Sequence, residues 1–99
     1  MSKKRGRLQI IYDILNVIKE KNEKIKPTNI LYKSNLSNQM FTEYMNELLQ
    51  KEFIIENKIK TGKTYSLTQK GFEYLNKYRI IIEFTESFGL NEVENDKKS

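Results

Sequence analysis

The chain has 99 residues, 18 Lys and Arg against 13 Asp and Glu, and neither Cys nor His. That length predicts one domain with a thin core, which a second subunit would help to cover. The missing residue types exclude disulfides, thiolate sites, most zinc sites and Cys- or His-based catalysis, while a net charge of +5 points toward a polyanionic partner.

Residues 1–7 form a basic arm with Lys3, Lys4, Arg5 and Arg7 and no acid. The apolar stretch behind it is interrupted by Gln9, Asp13 and Asn16 and lacks a small-residue cleavage site, so no signal peptide is expected. No apolar run approaches the roughly 18 residues of a membrane span. Residues 8–21 predict a helix. Leu8, Ile11, Leu15 and Ile18 recur along one face, and Ile10, Ile14 and Val17 broaden it. Asn22 suits a left-handed stop, and residues 21–26 read as a polar connection.

Pro27-Thr28 opens a second, short helix in which Ile30 and Leu31 point inward, and Lys33-Ser34-Asn35 reads as a turn. Ser37 caps a third helix over residues 38–51. On a helical wheel Phe41, Tyr44, Met45 and Leu48 share one side, while Gln39, Thr42, Glu43, Asn46 and Gln50 lie opposite. Phe53-Ile54-Ile55 and Thr64-Tyr65-Ser66-Leu67 are β-prone, and Gly62 marks a turn between them, which predicts a hairpin. Thr68 caps a final helix from Gln69 to Phe88 with Gly89 as its stop. Residues 91–99 are a polar tail without a core-forming pattern.

Gly62-Lys63-Thr64 also ends a phosphate-binding P-loop. That loop needs a glycine at position 57, where Asn stands, and a helix straight after Thr64, where a strand is expected. The hairpin offers something else. Lys58, Lys60 and Lys63 lie at its end, with no acid between Asn57 and Lys70, and such ammonium groups suit a phosphate backbone or guard a strand edge.

A short helix, a tight turn, an amphipathic helix and a basic hairpin together describe a winged helix-turn-helix, mainly α with a small β element (α+β). The chain resembles the small archaeal winged-helix DNA-binding family that includes the 10a-type chromatin proteins and related transcription regulators. The residues that carry the resemblance are "KRGRLQIIYDIL" (4–15), "TNILYKSNLS" (28–37), "YMNELLQKEFI" (44–54) and "YSLTQKGFEYL" (65–75). It implies a winged-helix fold, DNA binding and a dimer formed by long C-terminal helices. Family members usually carry Gly where this chain has Glu52, so a left-handed backbone there would cost roughly 1 kcal/mol.

The expected organisation is a basic arm (1–7), a winged-helix domain (8–68), a dimerisation helix (69–90) and a polar tail (91–99). Expected DNA contacts are Lys3, Lys4, Arg5 and Arg7 from the arm and Lys33, Ser34, Asn35 and Ser37 around the turn. Gln39, Thr42 and Asn46 on the third helix suit base edges, and Lys58, Lys60 and Lys63 suit the flanking backbone. Glu43 and Glu47 oppose tight backbone binding. On the last helix Phe72, Leu75 and Ile82 are expected against the domain's own core. Tyr74, Tyr78, Ile81, Thr85 and Phe88 run close to a heptad seam flanked by Ile80 and Phe84, which predicts a homodimer with a coiled-coil contact. The alternative is that "RIIIEF" packs on the first helix of its own chain.

The leading expectation is therefore a dimeric, cytoplasmic, nucleoid-associated DNA-binding protein. Its partners are double-stranded DNA and a second copy of itself, with no enzyme activity, cofactor, metal or membrane association. The competing expectation is a winged-helix protein-interaction module without DNA binding, motivated by Glu43 and Glu47.

Overall fold

The computed structural model describes residues 5–90. The element order is α1 (Arg7–Glu20), α2 (Pro27–Ser34), α3 (Asn38–Gln50), β1 (Ile54–Ile59), β2 (Gly62–Leu67) and α4 (Gln69–Ser87). This is the winged helix-turn-helix order expected from the sequence, mainly helical with one antiparallel hairpin.

The apolar face of α1 builds the centre of the core. Ile14, Leu15 and Ile18 are fully buried, and Ile30 from α2, Leu48 from α3 and Ile54 from β1 close over them. Leu8, expected on that face, stands 53% exposed, because the core begins one turn further on at Ile10 and Ile11. Every buried side-chain nitrogen or oxygen among the described residues has a hydrogen-bond partner, so the polar groups inside cost little.

The connection between α1 and α2 is more ordered than its polar sequence suggested. The Asn22 side chain accepts from the Leu67 amide at 2.8 Å, the Glu23 amide donates to Tyr65 O at 3.0 Å, and the Tyr65 amide donates to Ile25 O at 3.2 Å. The pairing of Ile25 with Tyr65 is thus a one-residue antiparallel bridge beside β2. The left-handed residue is Glu23 (φ 74°) rather than Asn22, because Asn22 is held by its bond to the hairpin.

Three termini are set by local chemistry. The Ser37 hydroxyl accepts from the Met40 amide and starts α3, and the Thr68 hydroxyl accepts from the Gly71 amide and starts α4. At the end of α3 the Glu52 amide donates to Leu49 O and the Phe53 amide to Leu48 O, at 3.1 and 2.9 Å. These are the two bonds of a Schellman turn, and Glu52 is its left-handed residue at φ 64°. The strained non-glycine position anticipated from the sequence is therefore present.

Gly71 is fixed by packing. A Cβ there would come 2.4 Å from the backbone oxygen of Phe53. That close approach seats the first turn of α4 against the entry to β1. Further along, α4 leaves the domain: Leu75 is buried, Ile82 and Thr85 are half-buried, and the rest from Arg79 onward is exposed. Phe72, expected inward, is 37% exposed because Gly71 takes the close contact beside it.

Candidate nucleic-acid interface

The polar face of α3 lies open. Gln39, Thr42, Glu43, Asn46 and Gln50 are exposed, while Met45 and Leu48 are buried and Phe41, Tyr44 and Leu49 pack against the core. The wheel read from the sequence therefore matches the exposure. Thr42 donates to Asn38 O at 3.0 Å, one turn back, and the Gln39 amide reaches Glu43 at 3.4 Å. Asn46 is exposed, and its side-chain amide is a group that matches the paired donor and acceptor on an adenine edge.

Glu47 is not a bare charge on this face. It pairs with Arg7 from α1 and, at 2.9 Å, with Lys51 one turn ahead. Hydrogen bonds from Arg7 first and Lys51 second hold its carboxyl down, from 4.5 to about 2. The same pairing raises the Arg7 guanidinium. Arg7 thus belongs to α1 and spends its charge on α3, whereas the sequence assigned it to a free arm. Arg7, Met40, Glu43, Tyr44 and Glu47 line a surface cleft at this junction.

Around the helix-turn-helix the expected residues divide. Lys33 and Asn35 are exposed, and Asn35 is the left-handed residue ending α2 (φ 58°). Ser37 is exposed but spends its oxygen on the α3 cap. Ser34 is not available to a phosphate: it is buried, and its hydroxyl donates to Ile30 O at 2.6 Å. The turn read at Lys33-Ser34-Asn35 is in fact the last turn of α2, and Ser34 faces inward there. Arg5 is also engaged, on Asp13 and on the end of α2. Lys3 and Lys4 lie outside the described residues.

The wing is formed by β1 and β2 in the register Lys58 opposite Lys63 and Ile59 opposite Gly62, so Lys60 and Thr61 make a two-residue turn. Lys58, Lys60 and Lys63 are all exposed, and only Lys63 approaches an acid, Glu56 at 3.8 Å. Thr64, the last residue of the P-loop-like triplet, is buried in β2, and its hydroxyl donates to Glu23 O at 3.0 Å. The chain continues past it as β2 rather than as a helix, which removes the nucleotide-loop geometry. Sequence reasoning missed Lys26, whose ammonium lies 3.3 Å from Thr61 Oγ1 at the wing tip. The signal was weak, since only the Ile25–Tyr65 pairing brings this lysine to the hairpin.

On α4 the expected seam separates into two sides. Tyr74 and Tyr78 face their own chain: Tyr74 donates to Leu8 O at 2.8 Å, and its ring meets Phe53 edge-on and stacks on Tyr78, which leans on Tyr12. Burial pushes the Tyr74 hydroxyl up to about 12. Thr85 is half-buried and bonds back to Ile82 O. Ile80, Ile81, Phe84 and Phe88 stand exposed, with Phe84 and Phe88 in ring contact. Among the described residues no helix is long and apolar enough to cross a membrane, and no group of His, Cys, Asp and Glu could hold a metal ion.

The sequence matches the winged helix-turn-helix family over residues 4–86. The chain belongs to that family. Two uncharacterised proteins of Methanocaldococcus jannaschii are similar to this winged helix-turn-helix protein. One is 41% identical over 76 residues, 77% of this chain and 33% of its own length. The other is 38% identical over 79 residues, 74% of this chain and 79% of its own length. The chain thus spans about a third of the first relative. Among solved structures, Sso10a-2, a DNA-binding protein from Sulfolobus solfataricus, superposes with a TM-score of 0.73 at 21% identity over 85% of each chain. F-93 of SSV1 superposes with a TM-score of 0.66 at 21% identity, over 89% of this chain and 99% of its own. At that identity the two structures speak for the winged-helix fold.

Proposed function

We propose that this winged-helix protein binds double-stranded DNA as a symmetric homodimer and acts as a transcription regulator or small chromatin protein of the cytoplasm. In this reading α3 enters the major groove and presents Gln39, Thr42 and Asn46 to base edges, while Lys58, Lys60 and Lys63 of the wing follow the flanking backbone. Lys33 and Asn35 lie toward the phosphates near the turn. The observation that carries the proposal is the exposed, hydrogen-bonding face of α3 followed directly by a hairpin whose end presents the exposed Lys58, Lys60 and Lys63. The neutralisation of Glu47 by Arg7 and Lys51 adds to it, since one of the two acids that opposed DNA is already paired. The DNA-binding Sso10a-2 shares the fold, which supports the same reading. Two such units set by one dimer axis would suit a two-fold site. No cofactor, metal or catalytic step enters the proposal.

Fluorescence anisotropy with a random duplex at several salt concentrations tests it. The affinity should fall with a log–log slope of nearly one unit per phosphate neutralised. Reversing the charge of Lys58, Lys60 and Lys63 together should abolish measurable binding. Glu43, still exposed in the middle of the α3 face, favours a second reading as a protein-interaction module. Under that reading the triple charge reversal leaves duplex affinity unchanged, and any binding lacks salt dependence.

A further inference from the structure

From the sequence, Arg5 is expected to contact DNA from the basic arm. Its geometry is that of a clasp. One guanidinium nitrogen donates to Asp13 of α1 at 2.6 Å, and the other donates to Ser34 O at 2.9 Å and Asn35 O at 3.4 Å. Asp13 is held from its other oxygen by Gln9 at 2.9 Å. Both members of the ion pair are only about a quarter exposed, 26% and 27%. The two carbonyls are those at the C-terminal end of α2, where a helix leaves acceptors without partners and its dipole is negative. A planar guanidinium bridges a carboxylate and two carbonyls as a lysine ammonium cannot.

What Arg5 grips is the hinge of the helix-turn-helix. Only Asn35, Leu36 and Ser37 separate α2 from α3. Asn35 is left-handed and folds its amide back on Leu31 and Tyr32, while Ser37 caps α3. The direction of α3 is therefore set within three residues, and the first of them has its carbonyl tied through Arg5 to α1. We propose that Arg5 is a positioning residue: it fixes the α2–α3 turn and so aims the exposed face of α3, and it makes no phosphate contact of its own. The inference rests on the DNA-binding reading for its consequence, and on the Arg5–Asp13–Ser34–Asn35 geometry for its substance.

The test compares wild type with R5Q, R5K, D13N and the R5Q/D13N double variant. Duplex anisotropy is measured across a salt series at temperatures where melting shows each variant fully folded, and amide exchange is followed at Asn35. The clasp predicts that R5Q, R5K and D13N each weaken duplex binding by about tenfold, the scale of one lost charge-assisted hydrogen bond. The double variant should be no weaker than R5Q alone. The salt slope should stay unchanged, and the Asn35 amide should exchange about tenfold faster as the turn opens locally. A phosphate contact predicts the opposite signs: D13N, which removes a negative charge, binds more tightly, R5K keeps its affinity, and R5Q lowers the salt slope by about one unit. That pattern overturns the proposal, as does Asn35 exchange unchanged in R5Q. Should wild type bind no duplex, the DNA-binding reading falls by itself, and the exchange at Asn35 still decides the clasp.

Discussion

Glu52 and Gly71 sit at the two ends of the wing and show opposite uses of backbone space. Glu52 occupies a left-handed position at φ 64°, where a side chain costs about 1–2 kcal/mol. Glycine would remove that strain but add about 0.5–1 kcal/mol of unfolded-state entropy. E52G should therefore gain about 0.5 kcal/mol, or about 3 °C in Tm for a domain of this size, and a fall in Tm would show that the Schellman turn depends on the Glu52 side chain. Gly71 predicts the reverse. Alanine normally improves a helix by about 1 kcal/mol over glycine, yet here its Cβ would press on Phe53 O at 2.4 Å. That oxygen cannot retreat freely, because it accepts from the Thr68 amide and hydroxyl, both at 3.1 Å. G71A should cost about 2–3 kcal/mol, in the range of overpacked sites, read from urea unfolding at unchanged m. The Glu52 strain was legible beforehand through the family resemblance, in which glycine usually stands at that position. The need for glycine at 71 was not, because it depends on how close β1 and α4 come in space.

At the scale of elements, periodicity carried most of the fold. The α3 face, its Ser37 cap and the hairpin follow from patterns within ten or so residues. What escaped was contact between distant segments. The Ile25–Tyr65 bridge is one residue long, too short to alternate, so Lys24-Ile25-Lys26 looked like a loop. The Arg5 and Arg7 partners escaped for the same reason, as Asp13, Ser34 and Glu47 are brought to them only by the packing of α1 on the helix pair. The Arg7–Glu47–Lys51 group has a pH signature. The folded-state value of Glu47 lies below its ordinary one, about 2 against 4.5. Its contribution is thus complete above the unfolded value and is lost as pH falls from near 5 toward 2. The Arg7 and Lys51 side chains are more than half exposed, 54% and 56%, against 23% for Glu47, so the effect is small and screened by salt. Thermal melts between pH 2.5 and 6 at low salt should show a shallower acid decline for E47Q than for wild type. Parallel declines would mean that the pair does not persist in solution.

Among the described residues the last element is α4, a helix that its own domain covers on one side only. Phe53, Tyr74, Tyr78 and Tyr12 form a chain of ring contacts that fastens the first half of α4 to β1 and α1. The heptad spacing in the sequence was real, but it merged this internal contact with a second surface, because Tyr serves equally well in either. With the tyrosines assigned to the domain, the surface left over is Ile80, Ile81, Phe84 and Phe88, which are 52–64% exposed. Large side chains at that exposure over two turns of one helix are a liability for a lone chain and a seam for a pair. A dimer built there holds two copies of α3 at a fixed separation, and linked sites gain about a hundredfold or more in avidity when both engage. The expected consequence is a separation of fold from affinity. I81E combined with F84E should yield monomers by light scattering and leave the cooperative melt of the winged helix in place, since neither residue touches the core. It should also weaken duplex binding by about a hundredfold while halving the salt slope, because each monomer neutralises half as many phosphates. A variant that stays dimeric would move the partner contact away from Ile81 and Phe84, and a monomer with undiminished affinity would mean that each winged helix reads DNA alone.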